Sequence, residues 1–223
     1  MMAGKSSKLM TAAALSCLAL TGPAVAHPHV WIEMRSSVVF ADDGRIKGVN
    51  LIWTFDDGYT EMALDGLDTD GDGVYSQSEL DPLTTENMAS LKDYDYFTVM
   101  RQGGVKLATG DAVAYGQTWA DGKLKLHFQI PLKTPLDPTA GEFMVKVYDP
   151  EFFIAIDYVK DEPVSVVGPI PQGCQLVVKP VPTGAEIEAT QQMLATKGQD
   201  WKPENNEDFG AMFAQPVLIE CKT

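Results

Sequence analysis

Residues 29–55 read HVWIEMRSSVVFADDGRIKGVNLIWTF. Val30, Ile32 and Met34 alternate with His29, Trp31, Glu33 and Arg35, the period of a strand with one buried face. Ala41-Asp42-Asp43-Gly44 is turn chemistry, and Val49, Leu51, Trp53 and Phe55 resume the alternation. The stretch predicts a β-hairpin near the start of the folded chain.

Downstream, the period changes and then changes back. Tyr59, Met62, Ala63 and Leu67 share one helical face, and Leu80, Leu83, Met88 and Leu91 share another. From Tyr94 the alternation is again that of strands, through Phe97–Met100, Leu124–Ile130, Phe143–Val147, Phe152–Ile156, Val164–Val167 and Leu176–Val178. Thr183-Gly184-Ala185-Glu186 reads as a capping box opening a short helix to about Thr196. Residues 197–210 are polar and read as irregular, and Val217–Cys221 is a last strand placed to pair beside Cys174. The fold class expected is mainly β (α+β): a β-sandwich-like domain over residues 27–223, an EF-hand-type helical hairpin inserted at about 57–92, and a short C-terminal helix.

The chain has 223 residues, with 45% hydrophobic and 22% charged, which excludes low-complexity and collagen-like classes. Lys and Arg number 17 against 31 Asp and Glu, a net charge of −14. That balance argues against nucleic acid as a partner, because phosphate binding needs clustered positive charge. It suits a protein that attracts cations.

Residues 1–26 have the layout of a secretory signal. Lys5 and Lys8 give the positive start, Leu9–Leu20 is uncharged and apolar, and Ala24-Val25-Ala26 is a small-x-small cleavage site. The apolar run is shorter than the ~20 residues of a membrane span, so stable membrane insertion is not expected. Cys17 invites a lipoprotein reading, but Ala14 stands where a lipidation box prefers Leu. Cleavage after Ala26 and a periplasmic location follow. Only Cys174 and Cys221 then remain. In an oxidising compartment a disulfide is the simplest reading and a metal-binding thiol pair the alternative.

The most specific motif is DTDGDGVYSQSE at residues 68–79, which matches the EF-hand pattern at every coordinating position. Calcium takes six to eight hard oxygens. Asp68, Asp70 and Asp72 lend carboxylates, Gly73 makes the sharp turn, Val74 lends its carbonyl, Ser76 ligates directly or through water, and Glu79 closes the shell. Ser76 and Glu79 also form a capping box for the exit helix. Tyr75 stands where an aliphatic residue usually meets a second loop, and the chain has no second loop of this kind. A solvated acidic loop is the plain alternative.

A second constellation is the new N-terminus. Cleavage would bring a free amine, His27 and His29 together, with Glu33 on the same strand face. Imidazoles suit zinc, nickel, cobalt and copper. The pair with the amine resembles the histidine brace of some copper proteins, for which His127 is the one available third imidazole. Pro28 lacks the amide proton that a square-planar amine–amide–amide–imidazole site needs. The plain alternatives are an exposed terminus and, for His127, an exposed strand residue beside Lys125 and Gln129. No nucleophile–base arrangement and no phosphate-cradling glycine loop appears, so a binding protein is expected rather than an enzyme. Asp149 and Glu151 around Pro150 read as a turn rather than a catalytic pair.

The stretches His27-Pro28-His29-Val30-Trp31-Ile32, Trp53-Thr54-Phe55-Asp56, Leu67–Gly73, Tyr94-Asp95-Tyr96-Phe97-Thr98 and Tyr148-Asp149-Pro150 resemble an exported domain-of-unknown-function family. That family is described as the periplasmic component of an uncharacterised ABC-type transport system and is often encoded beside nickel/cobalt-type transporters. The resemblance runs to about residue 170. It implies a periplasmic accessory protein that captures or delivers a divalent transition metal for a membrane transporter, with His27 and His29 as ligands; the structural calcium is expected from the motif at residues 68–79. It also draws attention to Asp56 and Asp149, without assigning either a role. A histidine-brace copper enzyme and a calcium-stabilised interaction module are the rival expectations.

Overall fold

The computed structural model describes residues 28–198, 201, 203 and 208–222. The signal segment and His27 lie outside the described residues. The protein is mostly β, with two sheets and few helices, a β-sandwich-like α+β fold.

The expected hairpin is there. Strand β1 (Val30–Phe40) runs antiparallel to β2 (Ile46–Phe55), with Met34 opposite Trp53 and Ser36 opposite Leu51. Next to β2 lies the long β6 (Lys123–Leu136), and β5 (Val113–Ala120) forms the edge beyond it. The other side of β1 is taken by two short parallel strands, β8 (Ile154–Tyr158) and then β9 (Val164–Val167). The resulting six-stranded sheet runs β5-β6-β2-β1-β8, with β9 also on β1. The second sheet has five strands in the order β10-β11-β7-β3-β4, made from Cys174–Val178, Val217–Cys221, Phe143–Val147, Thr98–Gln102 and Val105–Lys106.

Inward-facing residues of both sheets belong to one contiguous core, in which Trp53, Phe128 and Phe143 are the largest fully buried side chains. The Trp53 ring meets Phe128 edge-on with centroids 4.9 Å apart, a preferred aromatic geometry. Gly48 is required where β2 bends against β6. A Cβ there would collide with the Ile130 carbonyl oxygen and stand 2.9 Å from the Pro131 Cα.

The helical insertion consists of α1 (Asp57–Leu64) and α2 (Gln77–Lys92). It packs on β5 and β6. The Thr84 hydroxyl donates to the buried Gln117 Oε1 at 3.0 Å, and Lys123 pairs with Asp57 at 2.6 Å. The C-terminal helix α3 (Ala185–Leu194) is present, but the Thr183 cap is not. Gly184 occupies the cap position and makes no side-chain cap hydrogen bond. A further short helix, α4 (Gly210–Phe213), follows the described part of the polar segment. Strand β5 is not anticipated by the alternation rule, because its residues are mostly exposed and only Gln117 is fully buried.

Cys174 and Cys221 face each other across the β10–β11 pair and form a disulfide, which rules out their use as a metal-binding thiol pair. The bond spans a sequence separation of 47 residues, so the chain-entropy relation gives it about 4 kcal/mol. Scanning calorimetry of the Cys174→Ser/Cys221→Ser protein should show a Tm lower by roughly 10 °C. An unchanged Tm would mean that the denatured chain is already restricted in this region.

Candidate metal centre

The acidic loop is built by its flanking helices. Asp56 caps α1, accepting from the Tyr59 N–H at 2.9 Å, and the helix stops at Leu64. Gly71 and Gly73 then take φ of 74° and 77°, the left-handed region in which a Cβ is strained. Those turns fold the backbone around Asp68. Its Oδ1 accepts from Gly71 N–H at 2.8 Å and its Oδ2 from Gly73 N–H at 3.0 Å. Asp70 Oδ1 accepts from Asp72 N–H at 3.2 Å, and Asp72 Oδ1 from Val74 N–H at 2.7 Å.

Glu79 ties the loop's two ends together. Its Oε1 accepts from the Thr69 N–H at 2.7 Å and the Thr69 hydroxyl at 2.8 Å. Its Oε2 accepts from the Ser76 N–H at 2.9 Å and the Ser76 hydroxyl at 2.8 Å. The Ser76 N–H bond is the glutamate half of the expected capping box. Four donors on one carboxylate favour its charged form, and they hold the pKa at about 2 against an ordinary 4.5.

Carboxylate oxygens of Asp68, Asp70 and Glu79 lie within 4.8 Å of one another, the one grouping of three or more His, Cys, Asp or Glu among the described residues. Asp72 stands outside that trio. Hard oxygen donors on a glycine-turned loop fit calcium better than a soft or nitrogen-seeking ion. Tyr75 packs edge-on against Trp119 of β5, with centroids 5.4 Å apart. The sheet thus occupies the side of the loop that a second loop covers in paired EF-hands.

The N-terminal constellation is only partly assembled. The His29 backbone N–H donates to the Phe153 carbonyl at 2.8 Å, and the two rings lie 4.8 Å apart. Trp31, 49% exposed, and Glu33 lie on the outer face of the sheet, and His29 stands one residue before β1 begins. His127 aligns through Ile52 with Arg35, six residues along β1 from His29. At about 3.3 Å per residue this separates the two histidines by roughly 20 Å. The structure therefore parts His127 from His29, because β6 lies two strands away and is registered on the middle of β1. His127 instead covers Gly116 on the exposed outer face.

Two acids without an assigned role turn out to fix the start of β1. Asp56 accepts from the Trp31 N–H at 2.7 Å through Oδ2, while its own N–H donates to the Trp31 carbonyl at 3.0 Å. Asp149 is 5% exposed, and its Oδ2 accepts from the N–H groups of Phe153 at 2.9 Å and Ile154 at 3.0 Å. Its Oδ1 takes the Glu151 N–H at 3.0 Å, so the Asp149–Glu151 segment is the turn that its sequence indicates. Burial raises the Asp149 pKa, and these three N–H groups oppose the rise. Gly210 is packed so closely on this turn that a Cβ would collide with the Asp149 carbonyl oxygen. The sequence carries a signal for each role: an Asp between a strand and a helix reads as an N-cap, and Asp-Pro as a turn.

The family described as "Protein of unknown function (DUF1007)" matches residues 12–221, and the chain belongs to it. The match continues past residue 170, where the sequence motifs run out, and takes in both strands joined by the disulfide. An uncharacterized protein of Haemophilus influenzae is 23% identical over 203 residues, covering 89% of this chain and 92% of that one. An "Uncharacterized 15.5 kDa protein in trpE 3'region" of Spirochaeta aurantia is 32% identical over 99 residues, 44% of this chain and 70% of that protein.

A depressed carboxylate pKa stabilises the fold above its unfolded value and loses that contribution as pH falls toward the folded value. For Glu79 the window runs from about 4.5 down to about 2. In urea unfolding with EDTA, Glu79→Gln should be less stable than wild type near neutrality, and the gap should narrow below pH 4.5. A gap independent of pH would remove the carboxylate from this role.

Proposed function

We propose that this is an exported, periplasmic metal-binding accessory protein. It captures or delivers a divalent transition metal for a membrane transporter and holds a structural calcium ion in loop 68–79. The observation that carries the cation-binding part is the convergence of Asp68, Asp70 and Glu79 on a glycine-turned loop between two helices. With calcium bound, these carboxylates, the Asp72 carboxylate, the Val74 carbonyl and Ser76 are the oxygen donors, and the ion neutralises charge that the loop otherwise concentrates. Export is supported by the disulfide and by the signal-like start.

The transition-metal part rests on His27 and His29 at the expected cleavage point. Its structural support is the fixed position of His29 beside Phe153, which sets this residue at a defined place rather than on a loose tail. Zinc, nickel, cobalt and copper all suit imidazole. We do not favour the copper-enzyme alternative, because the third imidazole it needs lies roughly 20 Å along the sheet. The second reading is a calcium-stabilised interaction module. It is favoured by the fact that the loop holds the one three-donor grouping among the described residues.

Native mass spectrometry and melting curves of the protein purified from periplasm, with no tag at its N-terminus, separate these readings. Calcium at 100 times its Kd should stabilise the chain by about 2.7 kcal/mol, and Asp68→Ala should abolish that effect. One transition metal per chain should also be found, and His27→Ala/His29→Ala should lose it while keeping calcium. Calcium alone, with no response to zinc, nickel, cobalt or copper, would leave the interaction module. A calcium response unchanged in Asp68→Ala would overturn the loop assignment.

A further inference from the structure

The outer face of the six-stranded sheet carries a groove of about 520 Å³ that neither cation site uses. Its volume falls within the roughly 300–1,000 Å³ of small-molecule sites. Ile52 faces His127 across the β2–β6 pair, Asn50 faces Gln129, and all four line the groove. Lys47 lines it as well, and Val39, Ala114 and Val167 add apolar wall. Ile52 is 44% exposed and Val167 45%, so apolar surface is left to solvent here.

The charge of the groove runs against that of the chain. The sequence holds 31 Asp and Glu against 17 Lys and Arg, yet no carboxylate lines the groove. Lys47 takes part in none of the six ion pairs among the described residues. An adjoining groove shares Asn50 and Ile52 and contains both Arg35 and Glu162, so the side free of acids is the one at Lys47 and His127.

The backbone is also unusual at this place. The register of β5 on β6 shifts between Val113 and Gly116, and Ala114 takes a φ of 49° without being glycine. Bulges re-aim side chains, and a residue stays in that region only where its surroundings hold it. Gly116 then faces His127, and a Cβ there would stand 2.8 Å from the His127 Cε1. The imidazole thus lies over a position with no side chain, at the edge of the groove.

We propose that this groove binds a small organic monocarboxylate. Lys47 supplies the opposite charge, and the N–H groups of His127, Asn50 and Gln129 donate to the carboxylate oxygens. The apolar body covers Ile52 and Val167. A single lysine matches a single negative charge, which favours a carboxylate over a phosphate. The site is read from the sheet alone and does not rest on the metal-binding reading.

Benzoate and benzamide are suitable probes, because they have nearly the same shape and only the first is charged. In the ¹⁵N-labelled mature chain, benzoate should saturably shift the backbone amides of Asn50, Ile52, His127 and Gln129, and benzamide should bind about fivefold more weakly, the scale of one exposed ion pair. Lys47→Met should narrow that gap to less than about twofold. Ile52→Glu, an exposed substitution that puts a carboxylate into the groove, should abolish the benzoate shifts. The proposal is overturned if benzoate gives no saturable shift or shifts centred on other residues, if benzamide binds as tightly, or if either variant leaves benzoate binding unchanged.

Discussion

Strand β1 is hydrogen-bonded along both edges, and much of the molecule is arranged around that fact. One edge takes β2 in antiparallel register, and the other takes β8 and β9 in parallel. A parallel neighbour cannot follow through a tight turn, so the chain must leave the sheet and return. It leaves after β2 through the helical insertion, β3 and β4, returns to add β5 and β6 to the same sheet, and leaves again through β7 before β8. The segment after the expected cleavage point therefore enters the middle of a sheet. Asp56 holds one side of that entry and Asp149 organises the other, so two of the acids in the family-like stretches serve the same few residues of backbone. A strand so fixed gives His29 a defined position, which a loose terminus would not.

The lone EF-hand-type loop is explained by the same sheet. An isolated helix–loop–helix buries little surface, and such loops ordinarily support each other in pairs. Here Tyr75 rests on Trp119, Thr84 on Gln117, and Asp57 on Lys123, all contributed by β5 and β6. Glu79 has a double part. It closes the hydrogen bonding of the loop and the start of α2, and it sits in the carboxylate trio. A cation at the trio would thus act on the first turn of α2 through a residue already bonded to it.

What was legible in the sequence follows physical lines. The hairpin at 29–55 could be read because each of its strands buries one face, and alternation reports burial. The acidic loop could be read because its motif lies within twelve consecutive residues, so no tertiary information is needed. Strand β5 could not. It is an edge strand whose Ala114 has a φ of 49°, next to a register shift, and its outward residues carry no pattern. Thr183 has capping chemistry but does not cap, because the helix begins one residue later, with Gly184 at the cap position. The parallel pairing of β1, the separation of His127 from His29, and the convergence of Asp56 and Asp149 all depend on register between distant strands. Local periodicity contains no such term.

Helix α2 connects the two ends of the argument. Glu79 lies in its first turn, and Leu91 lies twelve residues later, about 18 Å away along the axis. The N-terminal turn belongs to the acidic loop, and the C-terminal half lines an apolar pocket through Asn87, Ser90 and Leu91, opposite Trp53, Phe55 and Phe97 of the sheets and their connecting turn. Between them Leu80, Thr84 and Met88 are buried against the body of the protein, so the helix cannot move at one end as an independent lever. A cation at the loop that set the position of α2 would set the far end of the helix with it, because the buried middle joins the two.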